Sequence, residues 1–205
     1  MIETMKKERY EWLRSWCDET LSSDLPRVAL IGDSITEGYQ KQVRELLRGR
    51  CYVDFLATSY AIDNPIYFAT LKLFLDNSSY QAVHYNFGLH GEHLTPAEYE
   101  EGLKKVTSLI LADSHLILAT TTEPYPIEKG QDLSPTWIPL AKERNEVMLR
   151  FAKERGIPVD DLHAVSLMSP QDEKAGDSIH FAEKGYLRLA KQVASCRASA
   201  LSLPE

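Results

Sequence analysis

The stretch Arg27-Val28-Ala29-Leu30-Ile31-Gly32-Asp33-Ser34-Ile35-Thr36 decides how the rest of the chain is read. Its first half is a short apolar run closed by a glycine, the pattern of a strand buried on both faces. Its second half leads into residues 35–50, where Val43, Leu46 and Leu47 share one helical face. A serine at a strand-to-helix junction stands at the rim of a sheet, where helix N-terminal amides converge. That place suits a nucleophile whose attack creates an oxyanion. A plain helix-capping role explains Ser34 equally well.

Outward from this stretch, strands and helices alternate. Strands are expected at 51–58, 81–88, 114–121 and 157–161. Helices are expected at 65–76 after a proline start, at 95–112, at 137–155 and at 181–198. Thr95 and Glu98 form a capping box, and Gly156 closes the long helix. Such alternation implies an α/β fold with a parallel sheet between two helical layers. Ligands of such sheets bind beyond the carboxyl ends of the strands. In the first segment, Ile2, Met5, Trp12, Leu13 and Trp16 fall at helical spacing. A helical extension over 1–25 is therefore expected in front of one domain spanning 1–205. Its mixed charges differ from the cationic face of a membrane-surface anchor. Docking on the domain or on a second subunit follows, which leaves a homo-oligomer open.

Composition narrows the classes. The chain has 205 residues and a net charge of −7, from 30 acidic and 23 basic residues. Binding to bulk nucleic acid is disfavoured by that sign. No apolar run reaches the roughly 20 residues of a membrane span, and the charged N-terminus has no signal-peptide core. The 3 cysteines, Cys17, Cys51 and Cys196, form no C-x-x-C pair and no disulfide framework. A cytoplasmic, membrane-independent protein is expected, with Cys51 in the core.

The chemistry-bearing residues lie at strand ends and near the C-terminus. Asp177 precedes His180 by three residues, in a loop before the last helix. A carboxylate so placed can orient an imidazole and set its tautomer, and the imidazole can take a proton from a serine. Alternatively, Asp177 caps the last helix and His180 is a surface residue.

Gly32-Asp33-Ser34-Ile35-Thr36 near the start and Asp177-x-x-His180 near the end resemble the SGNH hydrolases, also called GDSL esterases. The resemblance runs from Arg27 to Ala194. It implies a flavodoxin-like three-layer α/β/α sandwich around a five-stranded parallel sheet. It also implies Ser34 as nucleophile, His180 as general base and acid, and Asp177 as the orienting group. Two middle blocks depart from the family pattern. Where the family has a glycine whose N–H serves the oxyanion, this chain has Thr58-Ser59-Tyr60-Ala61-Ile62-Asp63-Asn64, and the N–H of Ala61 or Ile62 can take its place. Where the family has G-x-N-D, this chain has Gly88-Leu89-His90-Gly91, with His90 in the asparagine position. An imidazole N–H can also donate to an oxyanion. Asn86, upstream, either shares that task or supports the site.

Other residues carry weaker signals. His84, His90 and His93 lie close in sequence, but without the spacing of a zinc site. Neither metal nor cofactor is expected. Thr120, Thr121 and Thr122 either line a pocket or satisfy loop backbone. The long loop from Tyr125 to Trp137 can shape a substrate pocket. Asp160 and Asp161 read as structural. Phosphate-binding glycine motifs and the G-x-S-x-G elbow are absent from the sequence. The expected activity is hydrolysis of short-chain esters, acetyl above all, with a small-molecule partner such as an acetylated sugar. A non-catalytic carbohydrate-binding protein on the same fold is the alternative. A metal-dependent hydrolase using the three histidines is a third.

Overall fold

The protein is described by a computed structural model covering residues 6–110 and 114–200, with side chains to residue 196. In chain order the elements are β1 (Leu13–Trp16), β2 (Arg27–Gly32), α1 (Ser34–Leu46), β3 (Tyr52–Thr58), α2 (Pro65–Asp76), β4 (Ala82–Asn86) and α3 (Pro96–Ile110). They continue with β5 (His115–Ala119), α4 (Ser134–Arg155), β6 (Val159–Asp160), α5 (Leu162–Leu167) and α6 (Glu183–Ala200). A 3-10 turn occupies Gln171–Glu173. The sheet has the order β1-β3-β2-β4-β5-β6. All neighbours are parallel except β1 and β3.

Period-two alternation sorts the buried strands between two cores. Ala29 and Ile31 of β2 pack into one cluster, with Leu71 of α2, Leu103 and Val106 of α3, and Phe151 of α4. Val28 and Leu30 face the other, with Ile35, Tyr39 and Val43 of α1, and Leu189 and Val193 of α6. This is the expected α/β/α sandwich. Local chemistry agrees with it. Thr95 and Glu98 close their capping box, with Glu98 Oε2 accepting from Thr95 N–H at 2.8 Å and Thr95 Oγ1 from Glu98 N–H at 3.3 Å. Gly156 ends α4 at φ 64°, in the left-handed region.

The expected five-stranded sheet gains a sixth strand. The helix expected within 1–25 is replaced by β1, and among the described residues of that segment β1 is the one regular element. All four of its residues are exposed, so main-chain pairing rather than a buried apolar face holds it. Leu13 to Trp16 run opposite Thr58 to Phe55. The free edge of β3 offers unpaired N–H and C=O groups, and satisfying them outweighs a weak local helix preference. The part of the expectation at residues 1–5 lies outside the described residues. The loop before α4 is also shorter than expected, because α4 begins at Ser134 with Pro135 in its first turn. Helix α5 is an addition, capped by Asp161, whose side chain accepts from Ala164 N–H at 3.1 Å. Among the described residues no helix is long and apolar enough to cross a membrane.

The register aligns the strand ends that build the site. Gly32 lies opposite Ala57 on one side and Asn86 on the other. A Cβ on Gly32 would stand 2.2 Å from the Asn86 carbonyl oxygen and 2.0 Å from Thr36 Oγ1. One obstacle is backbone, so relief requires moving β4 or α1. Gly32→Ala is expected to lower stability by about 1–3 kcal/mol, the usual cost of overpacking. Urea unfolding of the two proteins checks this, and an unchanged midpoint would contradict it.

Candidate active site

Asp33, not Ser34, caps α1. Its Oδ1 accepts from Ile35 N–H at 3.0 Å. Ser34 is thereby left as the first helical residue, with its hydroxyl available for other work. The other carboxylate oxygen of Asp33 lies 3.5 Å from Gly88 N, which ties the loop after β4 to the start of α1.

The alternative cap role of Asp177 also falls away, since α6 begins only at Glu183. Asp177 Oδ1 accepts from the N–H groups of Ile179 at 3.1 Å and His180 at 2.7 Å. Its Oδ2 accepts from His180 Nδ1 at 2.6 Å. A carboxylate at Nδ1 selects the tautomer with its proton there, so the Nε2 lone pair faces outward. Across from that lone pair is Ser34 Oγ, at 2.8 Å from Nε2. The hydroxyl donates and the imidazole accepts. The structure thus brings together three residues that the sequence separates by 146 positions at the widest. Burial alone would push the Asp177 carboxyl up, but the backbone N–H and ring of His180 hold it below the ordinary carboxylate value.

The turn carrying these groups is braced by residues that the sequence reading passed over. Ser178 adopts φ 75°, uncommon for a residue with a side chain. Its hydroxyl donates to Tyr125 O at 2.6 Å, and its own carbonyl accepts from Tyr125 N–H at 2.9 Å. Ser178 Oγ also lies 2.8 Å from Asp132 Oδ1. The Tyr125 hydroxyl donates to His180 O at 2.5 Å and accepts from Gly176 N–H at 3.1 Å. The loop before α4 therefore grips the Asp177–His180 turn. No local signal marks Tyr125 or Asp132, because their partners are about 50 residues away.

The groups named for the oxyanion divide. Asn86 donates its amide N–H to Thr120 O at 2.9 Å and to Ala119 O at 3.4 Å. It bridges the ends of β4 and β5. Ala61 and Ile62 lie in the turn after β3, both buried. Ile62 packs against Gly102 of α3, and Ala61 packs against Gly91. The turn after β3 therefore touches the loop that carries His90. Arg144, fully buried on α4, donates to Gly91 O at 3.0 Å and Leu94 O at 2.8 Å, and lies over the Tyr99 ring.

The three nearby histidines go separate ways. His84 is buried, with Nε2 2.9 Å from Asp160 Oδ2. His93 pairs with Asp63 at 2.9 Å, and His90 stands 3.8 Å from Glu8. Thr120 donates to Asp161 Oδ1 at 2.9 Å and accepts from His163 N–H at 2.8 Å, a structural use. Thr121 and Thr122 have buried hydroxyl oxygens with no partner among the described residues. Thr121 packs against Gly88.

The fold is shared with known enzymes. The chain is similar to the aryl esterase of M. smegmatis, at 16% identity and a TM-score of 0.72, over 85% of this chain and 99% of that one. It is also similar to a carbohydrate acetylesterase family member from Sinorhizobium meliloti, at 12% identity and a TM-score of 0.72, over 87% and 100%. A member of the lipolytic G-D-S-L family from Veillonella parvula aligns at 18% identity and a TM-score of 0.65, over 82% and 96%. No family model and no curated protein matches the sequence. The architecture is thus that of the SGNH and GDSL hydrolase structures.

Loss of the Arg144 guanidinium would strand two buried carbonyls. Arg144→Met is expected to destabilise the protein by about 1–3 kcal/mol per unpaired group. Chemical denaturation checks this, with a change under 0.5 kcal/mol contradicting it.

Proposed function

We propose that the protein is a serine ester hydrolase acting through Ser34, His180 and Asp177. The observation that carries this reading is the continuous pair of hydrogen bonds from Asp177 Oδ2 through the His180 ring to Ser34 Oγ. Ser34 Oγ attacks the ester carbonyl while His180 Nε2 takes its proton. The carbonyl electron pair moves onto oxygen and forms the oxyanion. Asp177 steadies the imidazolium that results. Collapse expels the alcohol, which takes the proton from Nε2, and leaves an acyl-enzyme on Ser34. Water, deprotonated by the same imidazole, then releases the acid.

The N–H of Ser34, an N–H of the Ala61–Ile62 turn and the His90 side chain are assigned to the oxyanion. The reading takes short acyl esters as substrates, acetyl first, with an acetylated sugar as the natural form. Structures of similar fold described as aryl esterases and carbohydrate acetylesterases support it.

Ser34→Ala is expected to abolish hydrolysis of p-nitrophenyl acetate while leaving the thermal melt intact. A fluorophosphonate is expected to label Ser34 in the wild type and nothing in the variant, as read by peptide mapping. Unchanged turnover in Ser34→Ala would overturn the assignment. No label together with retained oligosaccharide binding would favour a non-catalytic carbohydrate-binding protein.

A further inference from the structure

Burial does not hold the Asp177–His180 pair in place. The two side chains are 53% and 36% exposed. Groups so open to water gain little orientation from packing. Their bond to each other does not aim them at Ser34 either, because a loose turn carries both residues with it when it swings. Whatever fixes His180 Nε2 at 2.8 Å from Ser34 Oγ must therefore grip the turn from outside.

One residue makes four hydrogen bonds to that turn. Tyr125 N–H donates to Ser178 O at 2.9 Å, and Tyr125 O accepts from Ser178 Oγ at 2.6 Å. The Tyr125 hydroxyl accepts from Gly176 N–H at 3.1 Å and donates to His180 O at 2.5 Å. A single oxygen thus ties the two ends of the segment 176–180 together, with Asp177 between them. Ala175 N–H adds a second donor on His180 O, at 2.9 Å. Tyr125 is buried, and burial pushes its hydroxyl up, so the group keeps the proton it donates. The segment leading to it is pinned to the body of the fold. Asn145 of α4 accepts from Thr121 N–H at 2.8 Å and donates to Thr121 O at 2.9 Å, and Ser166 Oγ of α5 accepts from Glu123 N–H at 3.1 Å. A site keeps its geometry when the groups that aim it are themselves locked in this way.

We propose that Tyr125 is a positioning residue of the reaction: its hydroxyl, bridging Gly176 N–H and His180 O, sets how the Asp177–His180 turn presents Nε2 to Ser34 Oγ. This rests on the ester-hydrolase reading. Tyr125 acts on the reaction through the turn, by holding backbone groups and the Ser178 hydroxyl. Without the bridge, Asp177 and His180 keep their own bond, but the distance to Ser34 is no longer fixed. Proton transfer from Ser34 then slows, while groups that bind the ester elsewhere are untouched.

Two measurements test this, each with the thermal melt recorded alongside. The first is hydrogen exchange at the Gly176 amide. Tyr125→Phe, which keeps the ring and removes the hydroxyl, is expected to speed that exchange at least about tenfold, as local opening would. Unchanged protection would overturn the proposal, whatever the activity does. The second is a double-mutant cycle on p-nitrophenyl acetate hydrolysis. Tyr125→Phe is expected to lower kcat about 10- to 100-fold with little change in KM, the scale of a small misplacement of reacting groups. His180→Ala leaves the residual rate that oxyanion stabilisation and binding supply. In that background Tyr125→Phe should cost under about twofold, because the group it aims is gone. An equal cost in both backgrounds would show a general structural role and overturn the proposal. If Tyr125→Phe does not fold, Ser178→Ala, which removes one of the four bonds, takes its place, with smaller changes in the same directions expected and no change in either measurement overturning the proposal. Absence of turnover and of Ser34 labelling in the wild type would overturn the ester-hydrolase reading and the positioning role with it. The Gly176 exchange would still report separately whether the Tyr125 hydroxyl holds the turn.

Discussion

The carboxyl edge of this sheet depends on how closely β4 approaches β2 at Gly32. With no Cβ there, the Asn86 carbonyl and the Thr36 side chain both come within distances that any other residue would forbid. That approach puts the ends of β2, β3 and β4 level with one another. It lets Asp33 cap α1 and also reach Gly88. The loop at 88–94 then joins the start of α1, through Asp33 and Gly88, to the turn at 59–64, through Gly91 and Ala61. A looser junction would leave the same residues present but unable to make these contacts.

Around that junction, the protein holds its irregular segments from outside. The Asp177–His180 turn includes a left-handed Ser178, and Tyr125 and Asp132 brace it from another loop. The His90 loop includes Gly91 at φ 79°, and its peptide groups are gripped by Glu8 at the N–H and Arg144 at the carbonyl. A strained backbone persists only where its surroundings over-determine it. Strand β1 contributes to the same economy of placement. By pairing with the edge of β3, it holds the segment from Tyr10 to Trp12 against the turn after β3, where Ser59 donates to Tyr10 O and accepts from Trp12 N–H, and Glu8 against the loop after β4.

Much of this was legible in advance, for local reasons. Helix α2 over Pro65–Asp76 and the capping box of α3 follow from residues within a few positions of each other. The buried strands follow from apolar runs too short for helices. The likeness of Gly32–Thr36 and Asp177–His180 to a family pattern pointed to residues that the fold then sets at hydrogen-bond distance. The misread elements share a different cause. Trp12, Leu13 and Trp16 sit at helical spacing, yet the partner that decides their conformation is the edge of β3, far along the chain, with Leu13 opposite Thr58 and Trp16 opposite Phe55. The partners of the Asn86 amide, Ala119 O and Thr120 O at the end of β5, are likewise more than thirty residues away.

The linear order of residues carries the alternation of strands and helices, the caps that start and stop them, and the motifs that hold Ser34, Asp177 and His180. Those features depend on neighbours in the chain, whose geometry the backbone dictates. Contacts across the fold set the antiparallel edge strand, the bracing of the Asp177–His180 turn by Tyr125 and Asp132, and the arrival of Glu8 beside His90. Each of these turns on a hydrogen bond or charge contact between residues dozens of positions apart, and no local pattern encodes which of many polar groups will be left to satisfy one another once the cores have packed.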